Sequence, residues 1–166
     1  MADLKIFPHD QKFLKDFKRE KDRISKFIKN VEIHHIGSTA VPGLGGKGMI
    51  DIMLGINNWK ELDGIIEKLK TMGFSHIHPK ENKRVFLSKE GFTKLGDTHI
   101  HIVKKGGEIY KDLLSFRDCL ISDKKESKRY FNLKLKWLKE FKGDRVKYTK
   151  GKEGYVKDVL KRMRKN

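Results

Sequence analysis

Residues 31–56, VEIHHIGSTAVPGLGGKGMIDIMLGI, constrain the fold more than any other part of the chain. The β-branched residues at 31–36 predict a strand, and the Gly/Pro-rich residues 37–48 predict a loop. Residues 49–56 are apolar apart from Asp51, which predicts a second, central and buried strand. Burying a charge without a partner costs several kcal/mol or more. The segment therefore predicts two strands joined by a tight turn, with a carboxylate that needs a partner.

The turn itself has the composition of an anion site. A glycine at position 37 lets a backbone N–H approach an anion closely, and Ser38 or Thr39 can donate a hydroxyl to a phosphate oxygen. The alternative is that Ser38 caps a short helix, and the two interpretations are compatible. Residues 43–48 match G-x-G-x-x-G, but they precede a strand instead of following one, which disfavours a dinucleotide fingerprint.

Asp51 is the strongest single candidate for a functional residue. Side chains alternate along a strand, so Asp51, Met53 and Gly55 share one face. Hard cations such as Mg²⁺ bind carboxylate oxygens and bridge them to phosphates, so Asp51 is a candidate metal ligand. The structural alternative is a buried acid that pairs with a nearby Lys or Arg.

Two histidines mark a later strand, which is predicted over residues 98–103. His99 and His101 flank Ile100, so the same alternation places both imidazoles on one face. They are candidates for metal binding, for phosphate binding as imidazolium, or for proton transfer. The alternative is that one is a hydrogen-bonded core histidine. Lys47 and Arg84 are candidates to neutralise phosphate, although a surface charge is the commoner role.

The charge balance points to a polyanionic partner. The net charge is +17, and residues 124–166 contain 17 Lys/Arg and 5 Asp/Glu, a net of +12. Such a field attracts polyanions, so the basic C-terminal helices predict nucleic acid as one partner. A solvated, lysine-rich surface explains the same composition equally well.

Length and cysteine usage set the broad class. The 166 residues predict a single domain over 1–166. One cysteine, Cys119, excludes an internal disulfide and fits a reducing compartment. No apolar run approaches the roughly 20 residues of a membrane span, and no signal sequence is evident, so we expect a cytoplasmic protein without membrane contact.

The periodicity of the remaining sequence completes the expected architecture. It predicts helices over 10–29 and 59–72, a hairpin over 74–88, and three helices after residue 108. The last helix is expected to bury a stripe formed by Val156, Val159, Leu160 and Met163. This order of elements is typical of an α+β or α/β sheet with helices packed on it.

The sequence HHIGSTAVPGL followed by IDI resembles the GrpB family of nucleotidyltransferase-like proteins. The resemblance covers nearly the whole chain and continues through Arg84 and Phe86, HIHIV at 99–103, FRD at 116–118, Tyr130 with Lys134, and Tyr148 with Lys152. It implies an α+β, nucleotidyltransferase-like mixed β-sheet flanked by helices, with a helical C-terminal part. It also implies a nucleotide or a coenzyme-like small molecule as ligand.

The resemblance implies roles for individual residues. Gly37, Ser38 and Thr39 would hold phosphates, and Lys47, Arg84 and Arg117 would offset the phosphate charge. Asp51 would hold a divalent metal, with His99 or His101 completing the metal site or acting as a base. Mg²⁺ or Mn²⁺ is the expected ion, and Asp51 and His101 are the expected catalytic residues.

The chain departs from the superfamily pattern at Met53, where a second acid is expected. Two-metal transfer needs ligands for two ions about 3.5–4 Å apart, so this departure favours one ion at most. The predicted function is metal-dependent transfer of a nucleotidyl group to an unknown acceptor. The alternative is a non-catalytic nucleotide- or RNA-binding module, and a third hypothesis is a regulatory partner of another enzyme.

Overall fold

The computed structural model describes residues 5–78, 83–89 and 97–165, which contain five strands and five α-helices. The strands are β1 (Val31–Ile36), β2 (Ile50–Ile56), β3 (His76–Ile77), β4 (Arg84–Ser88) and β5 (Thr98–Lys104). The helices are α1 (Lys12–Phe27), α2 (Leu62–Thr71), α3 (Glu108–Ser122), α4 (Lys124–Glu140) and α5 (Arg145–Met163). Short 3-10 turns occupy Ser38–Ala40 and Trp59–Glu61. Among the described helices, none has the length and apolar character needed to cross a membrane.

The five strands form one mixed sheet in the order β1-β2-β5-β4-β3. β2 and β5 run parallel, and the other neighbouring pairs run antiparallel. Parallel neighbours need a long crossover, which here contains α2 and the β3–β4 hairpin. The predicted α+β class with a mixed sheet and a helical C-terminal part is confirmed.

The two faces of the sheet meet different helices because side chains alternate along each strand. The isoleucines of β2 and β5 pack with α1 and α2 in the largest apolar cluster. On the opposite face, Met53 and Val103 pack against Ile109, Leu113 and other residues of α3. A third cluster joins α3, α4 and α5 to the loop after β1. The face that contains Asp51 is therefore the face on which the C-terminal helices lie.

Two of the predicted elements differ in detail from those observed. In the hairpin, β3 contains only two residues, and residues 79–82 of the predicted turn lie outside the described residues. In α5, Tyr155 and Val159 are buried, whereas Met163 is 39% exposed, so the predicted stripe is wrong at its end. The ring of Tyr155 stacks on the ring of Tyr130 in α4, with 5.1 Å between the ring centres. The side of α5 that contains Tyr155 and Val159 is therefore the buried side.

The start of α4 shows half of a capping box, the pattern in which the N-cap residue and an acid three positions later accept each other's backbone N–H groups. The Asp123 carboxylate accepts hydrogen bonds from the backbone N–H groups of Lys125 and Glu126, as an N-cap does. Glu126 does not reach back to Asp123. Its buried carboxylate accepts hydrogen bonds from Tyr155 and Arg162 instead, so it fastens α4 to α5.

Candidate functional site

The turn after β1 brings the predicted glycine and aspartate together. Gly37 has φ 72° and ψ −172°, a conformation that is essentially restricted to glycine. In the sheet, Ile36 lies opposite Asp51. A Cβ atom on Gly37 would lie 2.6 Å from the Oδ2 atom of Asp51, so only a glycine fits against this carboxylate. The predicted Gly37–Ser38 turn therefore lies directly beside Asp51.

The parallel pairing of β2 with β5 places both predicted histidines beside the same carboxylate. Asp51 is opposite His99 in the register, and Met53 is opposite His101. The Oδ1 atom of Asp51 lies 3.1 Å from Nε2 of His101 and 3.3 Å from Nδ1 of His99. The Asp51 side chain is 26% exposed, so a ligand can still reach it.

The charge states of this trio follow from burial and hydrogen bonding. Burial raises the pKa of Asp51, but hydrogen bonds from His101 and His99 outweigh it and hold the pKa well below its ordinary value. Burial lowers the pKa of His101 despite the carboxylate. At pH 7 the pair is therefore an ionised Asp51 and a neutral His101 that donates its Nε2–H. The Nδ1 atom of His101 is buried and has no hydrogen-bond partner among the described residues.

The same arrangement does not fit the predicted divalent-metal site of Asp51, His99 and His101. Within the described ranges, no group of three or more His, Cys, Asp or Glu side chains is placed to hold a metal ion. The His101 nitrogen nearest the carboxylate carries the proton of a hydrogen bond, so its lone pair is not available. Position 53 on the same strand face is a methionine and supplies no second carboxylate.

A buried lysine, Lys134 of α4, lies on the other side of the turn. Its Nζ donates hydrogen bonds to the Oγ atom of Ser38, at 3.0 Å, and to the carbonyl oxygen of Gly45. It also lies 4.9 Å from the ring centre of Tyr130, within the range of a cation–π contact. The side chain is only 2% exposed. Burial, together with the charges of Lys152 and Lys47, lowers the pKa of Lys134 to about 7.

Lys134 belongs to a group of three lysines that we call the lysine cluster: Lys47, Lys134 and Lys152. Burial and the charge of Lys152 lower the pKa of Lys47 to about 8, although Asp51 acts in the opposite direction. Among the described residues, no carboxylate lies within 4.0 Å of the ammonium group of any of the three. The site thus places like charges together without neutralising them.

The family resemblance extends to Lys134 and Lys152, but neither was predicted to have a role in the site. The available signal is the apolar face of α4, where a lysine follows Tyr130 and Phe131 and precedes Trp137. A lysine at such a position is rarely buried without a purpose. The role of the N-terminal segment was also missed: the backbones of Phe7 and Gly46 exchange two hydrogen bonds of 2.7 and 2.9 Å and hold the glycine loop in place.

The other predicted phosphate contacts have different positions. Thr39 is buried and its hydroxyl donates to the carbonyl of Met49 at 3.2 Å. This hydrogen bond joins the turn to the start of β2. Arg117 donates to the carbonyl of His35 at 3.0 Å and pairs with Asp118. Arg84 is exposed and lies opposite Val103, on the face of the sheet that contains His101.

Comparisons with known proteins show the family to which this mixed sheet with its glycine turn belongs. The GrpB family model, described as GrpB protein, matches residues 3–162. The chain belongs to the GrpB family. The glutamate-rich protein GrpB of Alkalihalophilus pseudofirmus is 30% identical over 164 residues, which is 95% of this chain and 94% of the relative.

Solved structures give a consistent result for the fold. The crystal structure of the conserved protein GrpB from Enterococcus faecalis matches with a TM-score of 0.83 at 22% identity, covering 95% of this chain and 96% of that one. The Cid1 poly(U) polymerase bound to MgGTP matches with a TM-score of 0.45 at 15% identity, covering 69% of this chain and 42% of that one. The first match shows the shared fold, and the second is too distant to carry an argument.

Alanine at Gly37 tests the close approach of the turn to Asp51. We expect Gly37→Ala to lose about 1–3 kcal/mol of unfolding free energy from its backbone conformation and about 1–3 kcal/mol from crowding of the carboxylate. Gly43→Ala is the matched control, because Gly43 also has a positive φ, 78°, but no atom within 4 Å of the added Cβ. Urea denaturation measures the unfolding free energy of both variants and of the wild-type protein. Equal losses would show that Asp51 does not restrict position 37.

Proposed function

We propose that this protein binds the phosphates of a nucleotide at the Gly37–Ser38 turn, with Ser38, Lys47 and Lys134 as the main contacts. One observation carries the proposal: Lys134 is a buried lysine that bonds Ser38 and lies within 4.0 Å of no carboxylate among the described residues. Burying an ammonium group without an opposite charge is costly. An anionic ligand supplies that charge, and backbone N–H groups in a turn of this kind bind anions.

Nucleotidyl transfer is the reaction class that this arrangement supports. In it, a hydroxyl of the acceptor displaces pyrophosphate from the α-phosphorus, and the hydroxyl proton must pass to a base. Asp51 is ionised, partly exposed and oriented by His101, so it is our candidate for that base. Gly37, Ser38 and Thr39 form the turn that holds the phosphates. In this proposal, Arg84 and Arg117 offset part of the negative charge of the phosphates.

Removing Lys134 tests the proposal directly. We expect calorimetry with ATP, GTP, CTP and UTP to detect binding of at least one to the wild-type protein. We expect Lys134→Met to weaken that binding roughly 10- to 100-fold, because a hydrogen bond to a charged group contributes about 1.5–3 kcal/mol. Lys47→Met should act in the same direction, and it leaves the hydrogen bonds to Ser38 and Gly45 in place.

The matched control is Lys136→Met, which changes an exposed lysine of the same helix. Circular dichroism verifies that each variant is folded. If the wild-type protein binds none of the four nucleotides, the proposal is wrong. If Lys134→Met and Lys47→Met both bind like the control, the nucleotide lies elsewhere.

The lowered pKa values of the lysine cluster predict an unusual pH dependence. The free site loses protons near the pKa values of Lys134, about 7, and Lys47, about 8. A bound phosphate favours the charged forms, so binding takes up protons and affinity must fall as the pH rises. We expect the affinity to fall by roughly tenfold or more between pH 7 and pH 9. A constant affinity over that range would show that ordinary exposed lysines bind the ligand.

A second candidate function is the binding of single-stranded RNA on the exposed face of α4. Lys125, Lys128, Arg129 and Lys136 line a shallow groove of about 440 Å³, together with Asn132 and Leu133. The lining includes four cations and no acid, although Lys136 lies 3.6 Å from Glu140 at its rim. Cations clustered along one helix face are the electrostatic footprint of a nucleic-acid-binding surface.

Fluorescence anisotropy with a labelled oligouridylate tests this second candidate. We expect the triple variant Lys125→Ala, Lys128→Ala, Lys136→Ala to bind more weakly, with a salt dependence reduced by about 0.7 per lost contact. The control removes three exposed lysines of α1, Lys12, Lys18 and Lys26. Equal losses in both triple variants would show attraction by net charge alone.

A further inference from the structure

We propose that the lysine cluster takes the place of a divalent cation, so that the site binds a triphosphate without a metal ion. This inference rests on the nucleotide site proposed above and specifies how the site neutralises its ligand. It concerns Lys47, Lys134 and Lys152. A nucleotide can bind at the turn whether or not these lysines replace a metal ion.

The region around the turn has an excess of positive charge. Three lysines and a single carboxylate, Asp51, influence one another here, and Arg145 adds a further positive charge near Lys47. A divalent cation would add two more positive charges to a region where the existing ones already repel. The same region without a metal has enough positive charge to offset most of a triphosphate.

The oxygen atoms available at the turn do not match the ligands that Mg²⁺ needs. Mg²⁺ seeks six oxygen ligands in near-octahedral geometry and usually takes one or two carboxylates together with substrate phosphates. Asp51 is the one carboxylate at the turn among the described residues, and its Oδ1 atom faces two imidazole nitrogens at 3.1 and 3.3 Å. A metal at Oδ1 would displace the hydrogen bond from His101 and the contact with His99.

Lys134 already places its amino group at the turn. Its Nζ is held by the Oγ atom of Ser38 and the carbonyl of Gly45, and the face of the Tyr130 ring lies 4.9 Å away. A Cβ atom on Gly46 would lie 2.8 Å from Cβ of Ser38 and 3.9 Å from this Nζ. Glycine at position 46 therefore lets the loop close on Ser38 and the ammonium group. A fixed ammonium that bonds the Ser38 hydroxyl adds positive charge at the turn without a bridging ion.

Calorimetry with inorganic tripolyphosphate and with ATP tests the inference, in EDTA and in excess Mg²⁺. We expect both ligands to bind in EDTA at least as tightly as in Mg²⁺, because a metal-complexed ligand presents less negative charge to the lysines. Binding that requires Mg²⁺ or Mn²⁺ would overturn this inference and leave the nucleotide site standing. Binding in neither condition would overturn the nucleotide site itself.

Two variants distinguish the sources of positive charge. We expect Lys152→Met to weaken tripolyphosphate binding in EDTA by roughly 5- to 10-fold, while Lys150→Met, an exposed neighbour on α5, matches wild type. Asp51→Asn removes a negative charge that faces the phosphates, so it should bind tripolyphosphate in EDTA at least as tightly as wild type. If wild type binds tripolyphosphate only in Mg²⁺ and Asp51→Asn binds it in neither condition, this carboxylate holds a required cation and the inference is wrong.

Discussion

The parallel pairing of β2 with β5 is the interaction on which the rest of the structure depends. It joins two strands that are far apart in the chain and sets Asp51 opposite His99 and Met53 opposite His101. A register shift of one residue would move all of these side chains to the other face, among the isoleucines that pack on α1 and α2. The burial of those isoleucines fixes the register, and the register in turn creates the polar site. Core packing and site geometry thus have the same physical origin.

The C-terminal helices complete the site by bringing positive charge to the turn. α4 supplies Lys134 and α5 supplies Lys152, and both helices are held by the stacked rings of Tyr130 and Tyr155. The lysine cluster is costly for the folded protein, because its members are buried or half-buried and repel one another. Residues that store such a cost commonly serve ligands, since a bound anion relieves it. Belonging to the GrpB family fits this arrangement, but the charges and contacts of the site, not the family, carry the argument for phosphate binding.

Much of the fold could be predicted from the local pattern. The bounds of β1 coincide with the predicted strand, and the helix predicted over 59–72 is observed as the 3-10 turn Trp59–Glu61 followed directly by α2. The alternation in IDIMLGI and THIHIV predicted which side chains share a face, as the register confirms. The end of the α5 stripe was predicted wrongly at Met163, because the stacking of two tyrosines from different helices decides which side of α5 is buried. The roles of Arg84, Arg117 and Thr39 in binding stay predictions.

The sequence by itself determined the strand–turn–strand unit, the glycine turn and the shared face of His99 and His101, because these depend on residues within one or two strands. The tertiary structure alone decided that Asp51 is hydrogen-bonded to both histidines, that Lys134 bonds Ser38 from a helix 96 residues away in the chain, and that three lysines influence one another near the turn. Such contacts depend on how distant elements pack, and burial shifts pKa values only when that packing is complete. Long-range packing therefore turned a recognisable turn into a charged binding site.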